Sequence, residues 1–252
     1  MAKLDIALQM YTVRDEAKED FVGTFKKVAD IGYTAVELAG TGDLPAAELK
    51  TVLDDIGLKP MGTHVAIDAL EKSLEENLAY YEALGVPFIT CPYMPEERRK
   101  DGAAWRATAA ALQAIGQKVV DAGFTFCYHN HSFEFERFDG QYGIDILFGA
   151  TDANLVQSEL DTYWVQHGGE VPAEYITKLS GRVPLIHLKD MLDDAGRSFA
   201  EVGEGILDWT AIFEAGGAAG AQWYIVEQDR CQRPPMESIR ISLENLKKMG
   251  VA

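Results

Sequence analysis

The sequence predicts an α/β protein, a single-domain (β/α)8 TIM barrel that occupies residues 1–252. Three observations favour this fold. Short apolar segments alternate with helical segments along the whole chain, and such alternation indicates a parallel sheet. The apolar segments carry few polar residues, as expected of strands that are buried on both faces. Eight strand–helix units in a chain of this length favour closure into a barrel over an open sheet.

The first four strands are predicted at residues 4–9, 33–38, 58–64 and 87–91, with helices at 21–31, 45–56 and 69–84 between them. A glycine follows each of these helices directly, at Gly32, Gly57 and Gly85. Glycine ends helices readily because it adopts the left-handed conformation without a steric penalty. These glycines therefore indicate where each helix ends and the next strand begins.

The second half of the chain repeats this order. Its strands are predicted at 124–129, 155–161, 183–188 and 223–227, and its helices at 103–122, 144–150, 173–179, 209–215 and 236–249. No predicted strand is followed by the G-x-G-x-x-G pattern that binds dinucleotide phosphates. A dinucleotide-binding fold is therefore disfavoured.

The charge balance excludes several classes of partner. Acidic residues outnumber basic ones by 40 to 23, which gives a formal net charge of −17 and argues against nucleic-acid or anionic-membrane binding. A local basic cluster could still bind a phosphate, so a sugar phosphate stays open as a substrate. The three cysteines show no paired spacing. The first residues lack a signal-peptide pattern and no segment is long enough to span a bilayer, which predicts a cytoplasmic protein.

The predicted strands end in polar side chains. In a TIM barrel the active site lies at the carboxyl ends of the strands. The strand-end residues in chain order are Gln9, Glu37, His64, Cys91, His129, Asp161, His187 and Glu227. A core alone would not select them, because buried carboxylates and imidazoles cost several kcal/mol unless they are paired or bound to metal.

Four of these residues form a candidate metal site. His129, Asp161, His187 and Glu227 end four consecutive strands, so the barrel places them next to one another. A mixed set of imidazoles and carboxylates suits a divalent ion such as Mn²⁺, Zn²⁺, Mg²⁺ or Co²⁺. Residue types alone do not select among these ions.

Structural interpretations of the same residues stay open at this point. His64 could be a hydrogen-bonded core histidine, and Asp161 could cap the helix that follows it. Lys189 could simply pair with a carboxylate. Trp164 could anchor a loop instead of forming a pocket wall. Glu134, in an aromatic-rich segment beyond strand five, is expected at the surface or in a lid.

Six segments of the chain resemble the sugar phosphate isomerase/epimerase superfamily, the xylose isomerase-like TIM barrels. They are LQMYTVRD at strand one, CYHNHSFEF at strand five, ELDTYWV at strand six, HLKD at strand seven, EVGEGILDW after it, and VEQD at strand eight. The resemblance spans essentially the whole chain, and is strongest to the inosose-dehydratase-like branch. It implies a divalent metal held by residues from strands five to eight, and places Asp161, His187 and Glu227 at three of those positions.

Two positions depart from the family pattern. Many relatives have Glu-x-His at strand five, where this chain has His129 and His131 around Asn130. His129 thus takes the glutamate position, and Glu159, two residues before Asp161, could supply the lost carboxylate. Trp164 stands where related epimerases often have a histidine.

The resemblance implies a metal-dependent sugar isomerase or epimerase that removes a proton alpha to the carbonyl of a ketose or inosose. Loss of a β-hydroxyl after the same step would make it a dehydratase or lyase, and this alternative stays open. Glu227 is the first candidate for the base, followed by His131 and Lys189. Expected contacts with the sugar are Gln9, Tyr11, Arg14, Glu37, His64, Trp164 and Arg230. A homodimer is possible.

Two other classes of protein remain as alternatives. A phosphodiesterase like the endonuclease IV barrels would need more metal ligands and a basic surface, whereas this chain has five histidines and a strong negative charge. A non-catalytic sugar-binding barrel would share the fold, and a metal-binding assay would distinguish it.

Overall fold

The computed structural model describes residues 3–252, which form one closed barrel of eight parallel strands. The strands are β1 (Ile6–Gln9), β2 (Ala35–Leu38), β3 (Lys59–His64), β4 (Phe88–Cys91), β5 (Thr125–His129), β6 (Gln157–Asp161), β7 (Leu185–Leu188) and β8 (Trp223–Val226). Pairing of β1 with β8, for example Ala7 with Ile225, closes the barrel. The predicted fold class is confirmed.

Eleven α-helices lie within residues 3–252. They are α1 (Arg14–Glu19), α2 (Phe21–Ile31), α3 (Ala46–Ile56), α4 (Ile67–Lys72), α5 (Leu74–Leu84), α6 (Gly102–Asp121), α7 (Gly143–Gly149), α8 (Thr162–His167), α9 (Pro172–Lys178), α10 (Trp209–Ala219) and α11 (Pro235–Lys248). Two short antiparallel pairs lie outside the barrel, Arg137–Phe138 with Gln141–Tyr142 and Asp190–Met191 with Phe199–Ala200. None of the helices in residues 3–252 combines the length and apolar character needed to cross a membrane.

The barrel interior is apolar at one end and ionisable at the other. Seven buried side chains form a separate core cluster: Ala7, Ala35, Met61, Phe88, Cys127, Leu185 and Ile225. Strand residues two positions apart share a face. Gln9, Glu37 and Glu227 follow three cluster members by two positions and are fully or almost fully buried. The cluster therefore forms an apolar floor beneath a layer of polar and ionisable side chains at the carboxyl ends of the strands.

The glycines predicted to end helices have the expected conformation. Gly32, Gly57 and Gly85 have φ of 113°, 80° and 79° and cap α2, α3 and α5. The helix predicted at 69–84 is wrong as a single element, because Ser73 (φ −137°, ψ 32°) separates α4 from α5. The helix predicted at 209–215 extends to Ala219, where Gly216 allows close packing: a β-carbon there would lie 2.6 Å from Tyr224 Oη.

Candidate active site

Four side chains predicted as metal ligands meet at the carboxyl end of the barrel. One donor atom each from His129, Asp161, His187 and Glu227 lies within 4.8 Å of the others. His129 Nε2 is 3.2 Å from Asp161 Oδ2, and His187 Nδ1 is 2.8 Å from Glu227 Oε2. All four side chains are buried. We call this set the upper cluster.

The chemistry of the upper cluster fits a divalent cation. His129 Nδ1 lies 3.3 Å from Pro92 O while its Nε2 faces the Asp161 carboxylate. A neutral imidazole carries one N–H, so only one of the two ring nitrogens can donate a hydrogen bond. The other nitrogen would face an acceptor oxygen with its lone pair. Burial lowers the pKa of His129, so the ring stays neutral at pH 7. A cation between Nε2 and Oδ2 would resolve the conflict, and two imidazoles with two carboxylates form a ligand set that suits a divalent ion.

A second buried set, the lower cluster, consists of Glu37, His64, Glu159 and His187. His187 belongs to both clusters. Its Nε2 lies 2.8 Å from Glu37 Oε2 and 3.1 Å from Glu159 Oε1. Glu159 therefore does not join the upper cluster, and bonds instead to the far nitrogen of His187. Burial alone would lower the pKa of His187, but the surrounding carboxylates, Glu159 first, hold it well above the usual range.

Lys189 is the cation that neutralises the upper carboxylates. Its ammonium lies 3.0 Å from Asp161 Oδ2, 2.7 Å from Glu227 Oε2 and 2.8 Å from Asp229 Oδ2. The side chain is 1% exposed. Burial alone would raise the pKa of Glu227, but Lys189 and the His187 hydrogen bond hold it well below the usual range. Glu227 is therefore a carboxylate at neutral pH.

A cavity of about 390 Å³ opens above the upper cluster. Its polar walls are His64, His129, His131, Glu227 and Asp229, and Tyr11 and Tyr93 lie at its exposed rim. The volume lies within the range of small-molecule sites. His131 stacks on Phe133 with ring centroids 5.2 Å apart and an angle of 6°. Burial and the neighbouring His129 lower the pKa of His131 well below its usual range, so its imidazole is neutral.

The other predicted contact residues divide between the cavity and its surroundings. Tyr11 and His64 line the cavity. Gln9 and Glu37 are fully buried and hydrogen-bonded to each other at 2.8 Å, beneath the cavity. The Trp164 ring lies 5.3 Å from that of His131. Arg14 donates to the carbonyls of Tyr11 and Asp229 at 2.9 Å, next to the site.

Arg230, the last of the predicted contacts, is exposed, and the cavity walls do not include it. The prediction that Glu134 lies at the surface or in a lid is wrong, because this carboxyl is fully buried. Its oxygens accept hydrogen bonds from Tyr128 Oη at 2.7 Å and His131 N–H at 2.8 Å. The flanking Phe133 and Phe135 were the sequence signal that this segment turns inward. Asp229 was also missed, although it follows Glu227 by two positions in the same alternation as the predicted residues.

A family model described as a xylose isomerase-like TIM barrel matches residues 25–249. The chain belongs to this family. The resemblance inferred from the six sequence segments is thereby confirmed.

This chain matches curated relatives over part of their length. An inosose dehydratase from Clostridium botulinum is 29% identical over 153 residues, which cover 53% of this chain and 50% of that protein. An inosose dehydratase from Geobacillus kaustophilus is 25% identical over 190 residues, which cover 67% of this chain and 61% of that protein. The chain thus spans half to about three fifths of the length of these relatives.

Solved structures match over nearly the whole chain. A sugar phosphate isomerase/epimerase from Parabacteroides distasonis superposes with a TM-score of 0.84 at 25% identity, covering 96% of this chain and 97% of that one. An L-ribulose 3-epimerase superposes with a TM-score of 0.70 at 16% identity, covering 98% of this chain and 94% of that one. The second match concerns the fold alone.

Proposed function

We propose that this protein removes a proton alpha to the carbonyl of a keto-sugar or inosose and then expels a β-hydroxyl as water. The observation that carries the proposal is a buried carboxylate, Glu227, that belongs to a cluster able to hold a cation and also lines a cavity of small-molecule size. The sequence relatives named inosose dehydratase support elimination as the second half of the reaction. The substrate is a small carbohydrate or a close derivative.

The upper cluster would hold the divalent ion through His129, Asp161, His187 and Glu227. When bound, such an ion supplies a Lewis acid that polarises a carbonyl oxygen and makes the adjacent C–H more acidic. Lys189 stabilises the negative charge of both upper carboxylates, because its ammonium lies within 3.0 Å of each. With a side chain only 1% exposed, it acts on the substrate through Asp161, Glu227 and Asp229.

Glu227 is the proposed base. Its Oε2 is engaged by Lys189 at 2.7 Å and by His187 at 2.8 Å. Among the hydrogen bonds and ion pairs of residues 3–252, none involves Glu227 Oε1, so this oxygen can face the substrate and take up the proton. One carboxylate thus provides a ligand atom and a basic atom. A base held next to the C–H bond contributes about 10²–10⁴-fold to the rate.

His131 is the proposed hydrogen-bond donor to the leaving hydroxyl. Its neutral imidazole lines the cavity, and its ring is held between Phe133 and Tyr93. Among the residues that the structure describes, its Nδ1 is buried without a hydrogen-bond partner. A neutral imidazole carries one N–H and one lone pair, so it can hydrogen-bond to the departing oxygen while the proton that Glu227 took from the alpha carbon leaves with the hydroxide as water.

Isomerisation or epimerisation is the second candidate function. The structural match to a sugar phosphate isomerase/epimerase at 25% identity favours it. Both reactions begin with the same removal of the alpha proton. They differ in whether the proton returns to carbon or a hydroxyl leaves.

The experiment is incubation of a set of inososes and ketoses with the protein and Mn²⁺ in deuterated water. We expect deuterium at the alpha carbon, with loss of water by mass spectrometry if elimination follows. Glu227→Gln is expected to reduce the exchange rate at least 100-fold, whereas Glu48→Gln, on the exposed face of α3, serves as the matched control. Full exchange by Glu227→Gln would remove Glu227 from its role. No exchange with any substrate, despite metal binding, would favour a non-catalytic sugar-binding barrel.

A further inference from the structure

The lower cluster forms a closed ring of alternating nitrogen and oxygen atoms. His64 Nε2 is 2.7 Å from Glu159 Oε1 and 3.4 Å from Glu37 Oε2. His187 Nε2 is 3.1 Å and 2.8 Å from the same two oxygens. The two imidazole rings are parallel to within 8°, with centroids 5.6 Å apart. Each Nε2 therefore points at two carboxylate oxygens and at no other group within the ring.

The two carboxylates are themselves held from outside the ring. Gln9 Nε2 donates to Glu37 Oε2 at 2.8 Å, and Thr90 Oγ1 donates to Glu159 Oε2 at 2.9 Å. Gly62 leaves the space that Glu37 occupies, because a β-carbon there would lie 3.1 Å from Glu37 Oε1. Six of the eight barrel strands thus contribute to a single buried network. Side chains fixed in this way have little freedom to reach a substrate.

The ring determines which nitrogen of His187 faces the upper cluster. Two carboxylates face Nε2 and keep a proton on that nitrogen, so the proton on Nδ1, which bonds to Glu227 Oε2, is the one that an ion in the upper cluster would displace. A carboxylate that accepts the N–H of a metal-binding imidazole fixes its tautomer and orientation and makes it a stronger ligand. The upper cluster contains His129 in place of a third carboxylate, which reduces its negative charge. The electron density that Glu37 and Glu159 supply through His187 offsets part of this reduction.

We propose that Glu37 and Glu159 are positioning residues that set the divalent-ion affinity of the upper cluster through His187. This inference rests on the proposed function. It assigns Glu37 a role other than the sugar contact predicted from the sequence, since the fully buried Glu37 is hydrogen-bonded beneath the cavity. We place the single ion in the upper cluster, because His129 and Glu227 line the cavity whereas His64 is the one lower-cluster residue that does.

The experiment compares Mn²⁺ and Zn²⁺ affinity by isothermal titration calorimetry for the wild type, Glu37→Gln and Glu159→Gln. We expect one ion per chain in every case, with a dissociation constant raised about 10- to 100-fold in the two variants. Glu159→Asp should recover part of the affinity. Glu134→Gln is the matched control, because Glu134 is equally buried and hydrogen-bonded but belongs to neither cluster.

Circular dichroism distinguishes a positioning effect from misfolding. If either glutamine variant fails to fold, Thr90→Val removes only the hydroxyl that holds Glu159 and should weaken binding in the same direction by a smaller factor. Unchanged affinity in folded variants would overturn the inference, as would two ions per wild-type chain or none. A wild type that binds one ion but exchanges no alpha proton would contradict the proposed function and leave the role of Glu37 and Glu159 intact.

Discussion

His187 Nδ1 lies 2.8 Å from Glu227 Oε2, although the two residues are 40 positions apart in the chain. The opposite nitrogen of the same ring lies 2.8 Å from Glu37 Oε2, which is 150 positions away. The imidazole is therefore held at both ends by carboxylates from β2 and from the end of β8. This arrangement makes His187 the central residue of both clusters.

Replacement of His187 should affect both stability and metal binding. His187→Gln removes one hydrogen-bond partner from each of the buried carboxylates of Glu37 and Glu227, and breaking a buried pair costs about 3–5 kcal/mol. We expect this loss in urea unfolding, together with loss of divalent-ion binding. His167→Gln, at the end of α8, is the control and should change neither. Wild-type stability in the His187 variant would contradict this prediction.

Lys189 should control the acid stability of the barrel. Burial alone would raise the pKa of Asp161, but Lys189 and His129 hold it below its usual value. A lowered folded-state pKa adds stability above the unfolded value, about 3.9 for Asp and 4.3 for Glu, and this stability is lost as the pH falls through the folded-state pKa. Lys189→Met should therefore move the acid-unfolding midpoint to higher pH.

The Lys189 measurement is circular dichroism during acidification in the presence of a chelator. Lys18→Met serves as the control, because Lys18 forms an exposed ion pair with Asp15 at 2.9 Å, and exposed pairs contribute little. An unchanged midpoint in Lys189→Met would show that its ammonium does not stabilise the upper carboxylates.

Glu134 should destabilise the protein at alkaline pH. Burial raises the pKa of Glu134 to about 8 in spite of its hydrogen bonds to Tyr128 and His131. A raised folded-state pKa gives stability that is complete below the unfolded value and is lost as the pH rises through the folded one. Glu134→Gln should then be more stable than the wild type at pH 9, by on the order of a few kcal/mol, with no such gain at pH 5.

Urea unfolding at the two pH values tests the Glu134 prediction. Glu136→Gln, two residues away and exposed, should show no pH-dependent difference from the wild type. The same stability difference for Glu134→Gln at both pH values would contradict the predicted ionisation.

Asp190 organises the loop that follows β7. Its carboxylate accepts hydrogen bonds from the N–H groups of Gly203 at 2.9 Å and Gly205 at 3.1 Å, and from Trp209 Nε1 at 2.8 Å. Asp190→Asn replaces one acceptor oxygen by a donor and leaves N–H groups of this loop unpaired, so we expect a loss of about 2–5 kcal/mol in urea unfolding. Asp194→Asn, in an exposed turn, is the control, and an equal effect of the two variants would contradict this role.

The positions of the ionisable residues were predictable where a local pattern places them. Glu37 and Glu227 follow the apolar residues Ala35 and Ile225 by two positions, so strand alternation puts them inside the barrel and barrel geometry puts them at its active end. The glycines after α2, α3 and α5 marked the strand starts in the same way. Local sequence patterns are sufficient for these features because they depend on neighbouring residues alone.

The remaining features depend on contacts between distant strands. The bond between Glu37 and His187 crosses the barrel and requires the register of every strand between them, which no local pattern specifies. Glu159 was considered as a ligand because it alternates with Asp161, but its position places it against Nε2 of His187. Ser73 is a similar case for the helices, because its backbone conformation and not its residue type divides α4 from α5.

Isothermal titration of the metal-free protein with Mn²⁺ measures whether the upper cluster holds an ion. The upper cluster predicts one ion per wild-type chain, and loss of that binding in Asp161→Asn, which keeps the size of the side chain but removes its charge. No binding by the wild type, or equal binding by the folded Asp161→Asn variant, would show that the upper cluster is not a metal site.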